Sequence, residues 1–425
     1  MLGPPVNAAA GPPQISASAR SETIGSFYEA RGNRPLWFGN PDGRPLAPWA
    51  LIDLLGSARA DGLDPDAYGP RDLDRALRKA RSGNFGAVER ADRLLSEAFV
   101  AYVRDMRRTL RIDMVWVDPA LRPSLTSPRQ LLEQVAAAAS PEAYLAEMQW
   151  MNPLYAGLRR AITDGTAEDR DQHDLLALNL ERARALPSGR GRYIVVNTSA
   201  AQLTMYEGGK AVDTMRVVVG KPVYPTPMMA ALIRFTSLNP YWNVPPDLAA
   251  ERIAPNVIKD GKAYLKLKGY QVLSSWDDGA KVVDPDIVDW KAVAAGKEAV
   301  RIRQLPGPAN AMGKMKFMFP NAQGVYLHDT PEKNLLGEET RMFSGGCVRL
   351  EDASRLARWL YAGVPPSTKS TRPEQRVDLP NPVPVFLTYL TAVPADGAIA
   401  YLPDVYGRDK HAFAATASPN GVASR

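Results

Sequence analysis

The chain has 425 residues, a net charge of +6, 45% hydrophobic and 23% charged residues, and one cysteine. That length suggests two or three soluble domains; no apolar run can cross a bilayer, and no dense Lys/Arg block suggests nucleic acid. The lone Cys347 excludes a disulfide framework, and His173, His328 and His411 are too scattered for a metal centre, so neither metal nor organic cofactor is expected.

Residues 1–20 are rich in Ala, Gly, Pro and Ser and read as a disordered leader. Their start, "MLGPPVNAAAGPPQ", has neither a basic n-region nor an apolar h-region, so no signal peptide is expected there. A helical region follows over 21–188. In "ADRLLSEAFVAYVRDMRR", Leu94, Leu95, Phe99, Tyr102, Val103 and Met106 recur at three- and four-residue steps and predict one apolar stripe. "TSPRQLLEQVAAAA" and "ASPEAYLAEMQW" each open on Ser-Pro, where the hydroxyl can cap free N–H groups and proline fits the first turn.

Near residue 190 the period changes. "RYIVVN", "AQLTMYE" and "AVDTMRVVVG" predict strands, and Gly208-Gly209 predicts an antiparallel hairpin between the last two. The stretch "SLNPYWNVPPDLAAERIAPN" breaks the strands with prolines and aromatics and then turns helical, so residues 244–308 read as an insertion. Sheet resumes at "KFMFPNAQGVYLHDT" and "VPVFLTYLTAV", closing a domain over 189–395; the extension 396–425 is expected to be peripheral. The expected class is α+β: a helical N-terminal scaffold and a mostly antiparallel β domain carrying an inserted subdomain.

A lone cysteine is usually an apolar filler, but the neighbours of Cys347 suggest chemistry. "YLHDT" puts Tyr326 and His328 on one face of a strand. "FSGGCVRL" sets Gly345 and Gly346 before the thiol, where main-chain N–H groups can turn toward a carbonyl oxygen. "LEDASRLARWLYAG" predicts a helix with Glu351 and Asp352 in its first turn, Leu356 and Leu360 on its apolar face and Gly363 at its end. An imidazolium and a helix N-terminus would both favour the thiolate, lowering a pKa that is otherwise about 8.5. The expected chemistry is acyl transfer: Cys347 attacks an amide carbonyl, N–H groups of the Gly346 turn hold the oxyanion, and His328 moves the protons.

"YLHDTPEKNLL" followed by "RMFSGGCVRLEDASRLA" closely resembles the catalytic signature of L,D-transpeptidases of the YkuD class, whose S-x-G-C-x-R motif is matched by Ser344, Gly346, Cys347 and Arg349. "LNPYWNVPP" and "PGPANAMGKMKFMFPN" resemble the larger periplasmic YcbB-like branch, as "FYEARGNRPLWF" and "DGLDPDAYG" do more weakly. The resemblance covers roughly 190–395. It implies a periplasmic enzyme whose Cys347 forms a thioester with a peptidoglycan stem peptide and passes it to the amine of a second stem, and which carbapenems target. It also implies that 244–308 caps the substrate. The linker "TDGTAEDRDQHDLLALNLERARALPSGRG" is too short for the peptidoglycan-binding module that this branch often carries.

Around the pair, Tyr326 reads either as a hydroxyl donor at the reaction centre, as the resemblance implies, or as a half-buried strand residue. Arg349 either holds a stem carboxylate or secures the loop, and Ser344 reads as a loop brace or a contact of His328. Arg341 is a candidate for anionic substrate. Asn239, Tyr241 and Trp242 form either a donor-peptide wall or packing beneath the insertion. Asp329 alternates away from His328, so a backbone carbonyl is an equally good imidazole partner.

The stem has two L-to-D bonds, after position three and after position one, so 3-3 and 1-3 crosslinks are both open. The rivals are a sortase-like cysteine acyl transferase, an L,D-carboxypeptidase using water, and a wall-binding scaffold with an inert thiol.

Overall fold

The computed structural model describes residues 17–38, 46–81, 83–108, 112–189, 191–277, 279–367 and 369–417. The leader expected over 1–20 lies outside these as far as residue 16, and so does the last stretch of the 396–425 extension. The chain forms two compact units, one from Met1–Leu110 with Pro123–Glu168, the other from Arg111–Arg122 with Asp169–Arg425.

The first unit is helical: α1 (Ala17–Ala30), α2 (Ala47–Gly56), α3 (Pro70–Ala80), α4 (Phe85–Arg108), α5 (Pro128–Ala136), α6 (Pro141–Ala146) and α7 (Pro153–Thr163). The stripe on α4 buries Leu95, Phe99, Tyr102, Val103 and Met106, but Leu94 stands off it and is 42% exposed. Both Ser-Pro starts are capped: Ser127 accepts from Gln130 N–H in a capping box, and Ser140 from Ala143 N–H. Two buried carboxylates are satisfied by partners distant in sequence. Asp61 accepts from Tyr102, Tyr155 and Arg159 at 2.6 to 2.9 Å, and Asp92 from the backbone of Leu36 and Trp37.

The second unit opens with β1 (Val115–Trp116), a short strand that the sequence pattern does not announce, and α8 (Arg170–Ala183). The helix lies in the region read as scaffold to 188, yet it packs here: Asn179 reaches Thr391, and Arg182 pairs with Asp409 at 2.5 Å. Then follow β2 (Tyr193–Asn197), β3 (Gln202–Glu207), β4 (Lys210–Gly220) and β5 (Met229–Leu238). Gly208 and Gly209, at φ 63° and 80°, make the β3–β4 hairpin.

The insertion holds β6 (Trp242–Val244), α9 (Pro246–Leu248), a π-helical turn Ala249–Ile253, α10 (Ala254–Asp260), α11 (Lys262–Lys268), β7 (Tyr270–Leu273), β8 (Val282–Val283), α12 (Trp290–Ala294) and β9 (Arg301–Gln304). Its strands make their own antiparallel sheet, ordered β6-β9-β7-β8. Val244, Ile253, Val257, Leu265, Val272 and Ile302 form its separate core.

The remaining elements are β10 (Met315–Met318), β11 (Leu327–His328), β12 (Met342–Ser344), β13 (Val348–Leu350), α13 (Ala353–Leu360), β14 (Gln375–Thr388), β15 (Ala392–Ala395), β16 (Ala398–Tyr401) and α14 (Arg408–Ala417). The main sheet runs β1-β5-β10-β11-β13-β4-β3-β2-β14, and the long β14 also pairs with β5, closing eight strands into a ring. Within the ring most pairs are antiparallel, with β11–β13 and β14–β2 parallel; β1 joins β5, and β12 joins β4, also in parallel. Ile194, Val217, Met229, Phe317, Leu327, Val348 and Leu356 fill its core. The segment after 396 is not peripheral: Tyr406 donates to the Gly220 carbonyl at 2.7 Å and Arg408 to that of Thr226 at 2.9 Å.

Candidate active site

Parallel pairing of β11 and β13 places Leu327 opposite Val348 and His328 opposite Arg349. Val348 N–H donates to the Tyr326 carbonyl at 3.1 Å, so Cys347, at the mouth of β13, lies beside Tyr326. The Tyr326 and His328 rings share one face, 5.8 Å apart and edge to face. Tyr326 acts on the sulfur from its backbone and its hydroxyl, both favouring the thiolate, and the thiol donates to the Gly324 carbonyl at 3.6 Å.

The imidazole is buried. Its Nδ1 lies 2.5 Å from the backbone carbonyl of Asp329. A carbonyl only accepts, so Nδ1 carries the proton and Nε2 of the neutral ring is a bare acceptor. The Asp329 carboxylate is turned away, accepting from Lys314 N–H at 3.0 Å and Lys333 at 2.9 Å.

The charge state differs from the ion pair expected from the sequence. Burial, followed by the Arg349 guanidinium, pulls the His328 pKa down to about 3. Cys347 keeps part of its surface open, yet protein packs so closely around the sulfur that burial pushes its thiol up. Tyr326, Lys316 and Arg349 pull it only part of the way back. The pair therefore rests as thiol and neutral imidazole. No helix end relieves this: β13 separates Cys347 from α13, whose Arg355 N–H is already taken by Asp352.

The glycine turn is held by its peptide groups. Gly346, at φ 111°, donates its N–H to Ser344 Oγ at 3.1 Å, and its carbonyl accepts from Thr226 Oγ1 at 2.8 Å. Ser344 Oγ donates in turn to the Cys347 carbonyl at 2.6 Å, so this serine spans the turn rather than bonding His328. The Gly346 N–H thus already has a partner, which narrows the expected oxyanion cradle. The Cys347 N–H has no partner among the described residues and is the donor left for an oxyanion.

The other expected residues have engaged side chains. Arg349 is buried and pairs with Glu332. Arg341 donates to the carbonyls of Ala200 at 2.9 Å and Glu338 at 3.2 Å. Asn239 donates to the Ser370 carbonyl at 2.6 Å, Tyr241 lies under Arg303 at 4.3 Å, and Trp242 packs in the insertion 6.4 Å from Tyr270. None of these hydrogen-bonds Cys347 or His328.

Four supporting residues were not read from the sequence: Thr226, Gly220, Gly324 and Lys316. Their only local signals are a threonine after proline, glycines in turns and a lysine in an apolar strand; what matters is the register that brings them in. The insertion reaches the same loop. A Cβ on Gly345 would stand 3.3 Å from Leu248, and Tyr224 donates to Glu251 at 2.5 Å. Among the described residues no group of three His, Cys, Asp or Glu could hold a metal ion, and no helix is long and apolar enough to cross a membrane.

A family model for the YkuD L,D-transpeptidase catalytic domain matches residues 191–377, and a scaffold-domain model matches residues 22–162. A Haemophilus influenzae protein whose name makes it an inferred L,D-transpeptidase is 34% identical over 251 residues, 58% of this chain and 50% of that protein. The chain thus spans about half the length of this curated relative. A solved L,D-transpeptidase from Mycobacterium smegmatis shares 17% identity over 48% of this chain and 63% of that one, with a TM-score of 0.21, too low to bear on the fold. Residues 191–377 thus carry the similarity to the YkuD L,D-transpeptidase catalytic domain, and the match to a scaffold domain over residues 22–162 precedes them.

Proposed function

We propose that the protein is a periplasmic peptidoglycan L,D-transpeptidase working through a Cys347 thioester. The observation that carries this reading is the commitment of His328 Nδ1 to the Asp329 carbonyl, which leaves Nε2 available as the base, on a ring lying edge to face with Tyr326, the residue next to the sulfur. Sγ attacks the carbonyl carbon of an L-residue as its proton passes to Nε2. The oxyanion takes the Cys347 N–H. Collapse breaks the C–N bond, and the imidazolium returns the proton to the departing D-residue amine. An acceptor amine then loses a proton to Nε2, attacks the thioester and expels the sulfur, which takes that proton back.

A ring with so low a pKa is a strong acid once protonated, which suits it to the leaving amine. In this scheme Tyr326 serves the sulfur, Ser344 and Gly346 shape the turn, and Arg349 acts on His328 by its charge. The contacts of Arg341, Asn239, Tyr241 and Trp242 favour bracing roles around the site. Residues 244–308 are the substrate cap, a reading supported by the Leu248 and Glu251 contacts. The scaffold match and this cap support the YcbB-like branch, and the short stretch between α7 and β2, with α8 as its helix, supports the reading that the usual binding module is lacking there.

The donor bond is one of the two L-to-D bonds of the stem. Incubating the purified chain with stem peptides and weighing protein and products tests the proposal. An acyl adduct on Cys347, absent from Cys347→Ala, with 3-3 or 1-3 crosslinked dimers, is expected, and a carbapenem should form an adduct at the same sulfur. Stems left unchanged, or a Cys347→Ala protein with full activity, would overturn it.

A further inference from the structure

Lys316 sits in β10 between Ser237 of β5 and His328 of β11, in register with both. Its Nζ stands 4.3 Å from the centre of the Tyr326 ring, and its charge is felt by Cys347 and His328. The ammonium is half-buried and makes neither hydrogen bond nor salt bridge among the described residues. Glu374 acts on it electrostatically, but the carboxylate oxygens of Glu374 are engaged by Tyr241 N–H at 2.6 Å and by the Ser237 hydroxyl at 3.5 Å. A cation that has lost water without gaining an acceptor is costly, and burial pulls its pKa down. An arriving anion would offset that cost.

The stem supplies one at the right place, an inference that rests on the donor reading above. The two candidate bonds share a feature: the D-residue after the scissile amide carries a free α-carboxylate. In one case it belongs to a terminal D-alanine, in the other to a D-glutamate joined onward through its side chain. In both, the carboxylate carbon is two bonds from the departing nitrogen, so a carbonyl poised at Sγ brings that carboxylate into the surroundings of the sulfur. We propose that Lys316 is the receptor for this α-carboxylate, and so selects donors that present a free acid immediately after the scissile bond. The ammonium binds the leaving portion at its acid group, while Glu374 keeps Lys316 in line.

Two measurements on the full chain test this. Cys347 is alkylated with iodoacetate and with iodoacetamide across a range of pH, and acylation is timed with stem tetrapeptides whose α-carboxylate is free or amidated on the residue after the bond that is cleaved, the terminal D-alanine or the D-glutamate. Wild type should prefer the acid in both pairs, with Lys316→Met losing the preference by on the order of tenfold and Lys316→Arg retaining it. Lys316→Gln gives the same comparison if the methionine variant unfolds. If the neutral variants slow acid and amide reagents equally, or only move the pH profile of the thiol, Lys316 serves the sulfur alone and the proposal falls. If wild type prefers iodoacetate yet accepts neither stem, the carboxylate site stands and the donor reading fails.

Discussion

Thr226 and Gly346 are joined behind the nucleophile: the threonine hydroxyl donates to the glycine carbonyl at 2.8 Å and accepts from Gly220 N–H at 2.9 Å. Thr226 is fully buried, so water cannot replace either bond. Thr226→Val keeps the shape and removes both, leaving a buried donor and a buried acceptor unpaired at a cost of about 1–3 kcal/mol. The expected outcome is a lower melting temperature together with slower acylation of Cys347, with both restored in Thr226→Ser. Melting curves and an acylation time course read by mass check it, and a valine variant unchanged in both would refute the brace.

Gly220 holds the same loop by its lack of a side chain. A Cβ there would stand 2.0 Å from the Tyr224 carbonyl oxygen, 2.8 Å from Thr226 N and 3.1 Å from Gly346 Cα. All three are backbone atoms and cannot swing aside. Gly220→Ala must move the turn, at a cost of about 1–3 kcal/mol or more. Loss of Cys347 acylation is expected even where circular dichroism reports a folded chain. A variant acylated at the wild-type rate would contradict this account.

His328 makes stability depend on pH with a definite sign. Its ordinary pKa of 6.5 falls to about 3 in the fold, so between these values the unfolded chain binds a proton that the folded chain refuses. Above 6.5 both states are neutral and the residue contributes no pH dependence. As pH falls through that window stability is lost, approaching a few kcal/mol near the lower end. Urea titrations of wild type and His328→Gln at several pH values isolate the residue: the difference in slope should vanish above about pH 7.

Local chemistry was legible where one stretch of chain decides it. Ser127 and Ser140 cap their helices and Gly208-Gly209 turns its hairpin because each acts on groups three or four residues away. The proximity of Tyr326 and His328 follows from strand alternation. The support of the nucleophile was not legible, because Thr226, Gly220 and Tyr406 meet Gly346 and one another only through the register of β4 and the path of the C-terminal segment. Leu94 lies one step off its helical stripe and is exposed, since a pattern of apolar residues sets a face only to within one position. The resting charge of the Cys347–His328 pair was misread for a related reason. Composition around a motif names the residues, but the desolvation that keeps both groups neutral depends on how tightly the barrel end closes over them.

Arg349 sets how acidic His328 becomes. It stands in register with the histidine across the β11–β13 ladder and is the second cause of the depressed pKa, after burial. Its own partner, Glu332, is 58% exposed at the side chain, so screening by solvent leaves much of the guanidinium field acting on the imidazole. Arg349→Gln removes that field, and the His328 pKa should rise from about 3 toward its ordinary value while remaining below it, because burial is retained. Glu332→Gln should leave the pKa at or below the wild-type value. Carbon-13 titration of labelled histidine reads this directly, with His328→Gln assigning the signal. An Arg349→Gln protein whose His328 titrates as in wild type would show that burial alone holds the ring neutral, and would remove Arg349 from the tuning of the reaction.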